Sequence, residues 1–127
     1  MTIEEYDAFC AGLPATTSVV QWGGAHVWKV GGKVFALARP IEGDDIAVSF
    51  KCSEIAFRLL SEEPGLRPAP YLASRGLIWI QRFSMESMDD AALRDYLAES
   101  HRLIVRKLSK PARRRLGLPE DSPRSSS

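Results

Sequence analysis

Cysteine and histidine are both scarce in this 127-residue chain, which holds only Cys10, Cys52, His26 and His101. Four ligands so dispersed do not form the clustered spacing of a zinc site, and two thiols do not build a disulfide scaffold. The N-terminus MTIEEYDAFC lacks the basic and apolar regions of a signal peptide, so a reducing cytoplasm and free thiols are expected. No apolar run approaches the roughly 18 residues that cross a bilayer, which excludes a membrane-spanning helix. Neither charge dominates: 17 Lys plus Arg stand against 16 Asp plus Glu. With 45% hydrophobic residues the chain has globular proportions, and one domain over residues 1–118 is expected. Residues 119–127, PEDSPRSSS, read as a disordered polar tail.

The near-neutral total hides a division. Residues 1–100 carry 9 basic and 14 acidic side chains, whereas residues 101–127 carry 8 and 2, a change from −5 to +6. A basic end of this kind suits an anionic partner, although a solvated helix face produces the same count.

Thr2 and Glu5 have capping-box spacing, and Ile3, Tyr6, Phe9, Cys10 and Leu13 recur at helical intervals, predicting a helix over 3–12. TTSVVQW, AHVWKV and KVFALAR follow as β-rich runs. Gly31-Gly32 joins the last two, the pattern of a type I′ hairpin turn. That register sets Val30 against Lys33, Lys29 against Val34, Trp28 against Phe35 and His26 against Leu37. Trp28, Val30, Phe35 and Leu37 then face the core, while Val27, Lys29, Val34, Ala36 and Ala38 face the other way. DIAVSFK alternates likewise, so Lys29 and Lys51 share the open face. A second helix over 52–60 buries Ile55, Ala56, Leu59 and Leu60 behind a Ser53 cap. LRPAPYLASR reads as turn, GLIWIQRF as the last strand, and a long helix capped by Asp89 or Asp90 runs through Leu93, Tyr96, Leu97, Ile104 and Leu108. Arg102 and Arg106 lie on its outer side. Residues after Pro111 are expected to contribute little to the core. The order argues for an α+β fold: an antiparallel sheet of about five strands with helices packed on one face, and Trp28 buried with Phe35.

Catalytic constellations are missing. Ser100 and His101 are adjacent on a helix and point to different faces, and Gly31-Gly32-Lys33 opens a strand where a phosphate loop would open a helix. His26 reads as a satisfied strand histidine, and Asp44-Asp45 and Asp89-Asp90 as turn and cap residues. Helix one offers only Glu4, Glu5 and Asp7, too few carboxylates for an iron site. No enzyme and no cofactor are expected. What remains is charge: Lys29 and Lys33 flank a hairpin tip of the kind that lies along phosphates.

WKVGGKVFAL, SFKC before a helix, GLRPAPYL, an aromatic strand and a helix ending SHRLIVRKLSKPARRRLGL together resemble the MmcQ/YjbR family over roughly residues 3–118. These are small bacterial proteins, usually labelled DNA-binding, with a CyaY-like, double-wing α+β fold. The family signature falls on Lys29, Gly31, Gly32, Lys33, Phe35, Lys51, Arg67, Pro68 and Trp79. Ser53-Glu54-Ile55 replaces the family's Asp-Pro-Glu helix start, and Ala73-Ser74-Arg75-Gly76 replaces an asparagine- and lysine-rich stretch. The resemblance implies DNA binding through hairpin wings and neighbouring basic residues. The expected partner is therefore duplex DNA, held mainly through phosphates by a monomer. The contacts would be Lys29, Gly31, Gly32, Lys33, Lys51 and Arg67, with Arg106, Lys107, Lys110, Arg113, Arg114 and Arg115 from the basic end. The alternative is a protein- or metabolite-binding module that uses the open sheet face.

Overall fold

The computed structural model describes residues 1–43, 45–70, 72 and 75–119. Asp44, Tyr71, Ala73-Ser74 and the tail from residue 120 lie outside the described residues. The elements run α1 (Ile3–Ala11), β1 (Thr16–Gln21), β2 (Ala25–Val30), β3 (Lys33–Pro40), β4 (Ile46–Lys51), α2 (Glu54–Leu60), β5 (Leu66–Pro68), β6 (Trp79–Arg82), α3 (Asp90–Val105) and α4 (Lys110–Arg115). One sheet contains all six strands in the order β1-β2-β3-β4-β6-β5, and each neighbouring pair is antiparallel. The fold is α+β, as expected. The sheet has one more strand than expected because Leu66–Pro68 pairs with β6. A proline is tolerated there because β5 is an edge strand, with no neighbour to receive an N–H on its outer side.

The core lies between one sheet face and the helices. Trp28, Val30, Phe35, Val48, Phe50 and Ile80 pack with Tyr6 and Cys10 of α1 and Leu93, Leu97 and Ile104 of α3. Trp28 and Phe35 are buried together as expected. The Thr2–Glu5 capping box forms and starts α1, and Asp89 caps α3. Asp7 fastens α1 to β2, accepting from His26 Nδ1 at 2.8 Å and Trp28 Nε1 at 2.9 Å. Beneath the start of α3, the buried Arg82 donates to Asp90 and to the Met88 carbonyl. Burial alone would raise the Asp90 carboxyl pKa, but bonds from the Met1 ammonium and Arg82 hold it below its ordinary value. Both cysteines are free and buried, and burial pushes the Cys10 thiol to about 12 and Cys52 to about 11, so neither is poised to react.

Expectations about two faces and about the C-terminal segment are overturned. Trp28 pairs with Ala36 and His26 with Ala38, because Phe35 is the extra residue of a β-bulge opposite the Trp28/Lys29 step. Leu37 therefore turns to the open face, and Ala36 and Ala38 join the core. In α2, Ile55 and Leu59 are exposed, while Ala56, Phe57 and Leu60 pack inward, because this short helix leans on β5 and β6. The long helix stops at Val105, and Ser109 caps a further helix with Pro111 in its first turn. Residues beyond Pro111 do reach the core, since Leu118 is buried within it. Ser100 and His101 are likewise both buried, on either side of Phe35.

Candidate nucleic-acid interface

The β2–β3 hairpin closes on Gly31 and Gly32 at φ +60° and +79°, the left-handed pair that a type I′ turn requires. The tip is seated on the α3–α4 junction: a Cβ on Gly31 would lie 2.7 Å from both methyl carbons of Leu108. Any other residue would have to displace the Leu108 methyls and adopt the left-handed φ that favours glycine.

Ser100 fixes the base of the hairpin to its neighbours. The bulge at Phe35 interrupts the β3–β4 ladder beyond the Ala36–Phe50 pair. The Ser100 hydroxyl fills the gap, donating to the Phe35 carbonyl at 2.6 Å and accepting from the Lys51 N–H at 2.9 Å. His101 packs edge-on against the Phe35 ring at 5.2 Å, and its Nε2 donates to the Pro14 carbonyl. Two adjacent α3 residues thus hold the bulge from the helix layer.

This construction gathers five lysines at one end of the molecule. Lys33 pairs with Val30 and shares its helix-side face, whereas Lys29 pairs with Val34 and projects toward the open face. Lys51 ends β4, two strand spacings or about 10 Å from β2, on the same face as Lys29. Lys107 precedes Leu108, and Lys110 opens α4. Burial, and next the charge of Lys107, hold the Lys51 ammonium pKa below its ordinary value, so the two lysines lie within electrostatic reach. Among the described residues, none of the five forms an ion pair. The result is a basic rim that runs from the helix layer around the hairpin tip to the open face.

The other expected contacts fall elsewhere. Arg67 sits on β5, where its Nε donates to Gln81 at 2.8 Å and its guanidinium lies 4.9 Å from the centre of the Phe83 ring. Arg106 is half-buried, its Nε enclosed and without a hydrogen-bond partner among the described residues. Arg113 Nε donates to the Leu108 carbonyl, which ties α4 to the junction under the hairpin, and Arg114 is also engaged. Arg115 is exposed at the end of α4. Ser100 and Leu108, which position the rim, were not singled out as site residues in the sequence. Their only signal was their place on an apolar helical stripe.

The described residues contain no group of three or more metal-ligating side chains, and no described helix is long and apolar enough to cross a membrane. No curated protein matches the chain. A Deinococcus radiodurans protein with a DUF419 domain is similar in structure, with a TM-score of 0.80 at 23% identity, over 94% of this chain and 91% of that one. A Pseudomonas syringae protein is similar with a TM-score of 0.64 at 17% identity, over 81% of this chain and 98% of the other. At such identities the likeness shows the shared fold. The YjbR family model matches residues 11–103, from the end of α1 into α3, and the chain belongs to the YjbR family.

Proposed function

We propose that this chain is a non-enzymatic domain that binds duplex DNA as a cytoplasmic monomer, mainly through phosphates, with Lys29, Lys33, Lys51, Lys107 and Lys110 as contacts. The observation that carries this reading is the convergence of five lysines, none ion-paired among the described residues, on the hairpin seated at Leu108. Protein folds normally disperse or pair such charge. A phosphate beside Lys51 and Lys107 would relieve their mutual repulsion. The rim is also preorganised: the turn, the bulge and the junction hold it, so little ordering entropy is lost on binding.

The test is affinity for a fluorescent duplex at one salt concentration. Lys29→Ala with Lys33→Ala keeps the thermal unfolding transition and weakens binding by at least about 1 kcal/mol, roughly fivefold. Arg67→Ala, which removes a charge outside the rim, changes affinity less. Parent-like binding by a folded Lys29→Ala, Lys33→Ala, Lys107→Ala variant contradicts the assignment.

A further inference from the structure

The face of the sheet away from the helices carries a groove that the rim does not use. Register places Val27, Leu37, Ser49, Gln81 and Arg67 in one row across β2, β3, β4, β6 and β5, all on this face. Over Leu37, Ser49 and Gln81 lies a cavity of about 480 Å³, within the roughly 300–1,000 Å³ range of small-molecule sites. Among the described residues, Trp22, Arg39, Pro70 and Leu72 also line it.

Its floor is polar and open to the water of the groove. Ser49 is 2% exposed, and its hydroxyl has no hydrogen bond to any described residue. Gln81 is 8% exposed. Because a guanidinium can only donate, Arg67 Nε fixes the Gln81 carboxamide with its oxygen toward Arg67, which leaves the NH₂ without a partner among the described residues. Water in the groove can satisfy both groups, so a ligand that displaces it must offer them hydrogen bonds. The rim of the groove is also unusual. Trp22 adopts φ +52°, a conformation bulky residues rarely take, and exposes 55% of its surface. Its carbonyl accepts from Arg39 Nη1, so the turn carrying the indole and the cation at the mouth are fastened together.

We infer that this groove binds the nucleobase of a nucleotide: the ring stacks on Trp22, its polar edge meets Ser49 and Gln81, and its phosphate pairs with Arg39. An apolar carboxylate would satisfy Arg39 but leave the two floor groups desolvated and unpaired. A ligand that is planar, hydrogen-bonding at one edge and anionic at the other satisfies all of them. The same chemistry is offered by a free mononucleotide and by an unstacked base of a single strand, where aromatic stacking is a common source of affinity. The inference stands apart from the duplex reading, since the five rim lysines line no part of the groove.

The test follows tryptophan emission while the chain is titrated with AMP, CMP and a short oligothymidylate. Trp28 and Trp79 are buried, so quenching reports Trp22. Saturable quenching by a mononucleotide supports a free-nucleotide site, and saturation by the oligonucleotide alone supports capture of an unstacked base. In either case calorimetry shows affinity falling at least about fivefold in Ser49→Ala with Gln81→Leu, with no change in Lys29→Ala, Lys33→Ala. Absence of saturation with every probe up to about 1 mM overturns the inference. So does unchanged affinity in the Ser49→Ala, Gln81→Leu variant, if its thermal unfolding shows it folded. A folding failure of that pair leaves Trp22→Ala as the deciding variant, and parent-like calorimetric affinity there also overturns it.

Discussion

Ser100 carries more of the architecture than its size suggests, because a single hydroxyl serves two backbone groups that the bulge separates. Ser100→Ala leaves the Phe35 carbonyl and the Lys51 N–H buried without that partner. The expected loss is about 1–3 kcal/mol per unsatisfied group, read as a lowered urea midpoint with an unchanged slope. His101 supplies a separate, pH-dependent contribution. Burial holds its imidazole below the ordinary histidine value of 6.5, against the opposing pull of the Pro14 hydrogen bond. The unfolded chain therefore takes up a proton first, so stability is full above that value and is lost as pH falls through the lower folded one. The carboxylate at Asp90 has its own depressed pKa, so its contribution disappears only below 3.8. Urea midpoints measured from about pH 7 to 5 should fall in the parent and flatten in His101→Gln. An equal fall in both would remove His101 as the cause. In the sequence, Ser100 and His101 were legible only as neighbours unsuited to catalysis. Their partners, the Phe35 and Pro14 carbonyls, have no residue-type signature at all.

At the scale of elements, legibility followed the strength of local chemistry. Thr2 with Glu5, Asp89, and Gly31-Gly32 each impose one backbone geometry, and each was found where the sequence indicated. The bulge was invisible because Phe35 and Ala36 are both apolar, so the alternation accommodates an extra residue without a visible break. Its consequence, Leu37 on the open face beneath the groove, was therefore misassigned. Gln81 was visible as a polar residue inside GLIWIQRF, but its burial depends on chain far away in sequence. Pro111 misled in the opposite sense, for it starts α4 in place of ending order. Because Leu118 is buried in the core and Arg113 bonds the Leu108 carbonyl, truncation after Leu108 should lower stability. The expected loss is about 2–5 kcal/mol, the range for removing one large buried aliphatic side chain. A truncated chain with the parent's thermal midpoint would show that α4 is not part of the core.

Over the whole molecule, the sheet separates two surfaces. Helices cover one face, and the other bears a groove with Arg39 at its mouth and polar groups on its floor. The five lysines border both at the hairpin end. The −5 and +6 division of the sequence foretold a basic end, but not that its lysines would meet those of a hairpin nearly eighty residues earlier. That meeting depends on Leu108 beneath Gly31, a contact between two residues that individually look like core and turn. If this rim neutralises phosphates, duplex affinity measured as a function of salt shows it most directly. With three or four phosphates neutralised, log affinity should fall with log salt at a slope of roughly −3 to −4, and at a shallower slope in Lys29→Ala, Lys33→Ala. A duplex affinity that stays the same between low and moderate salt would contradict it.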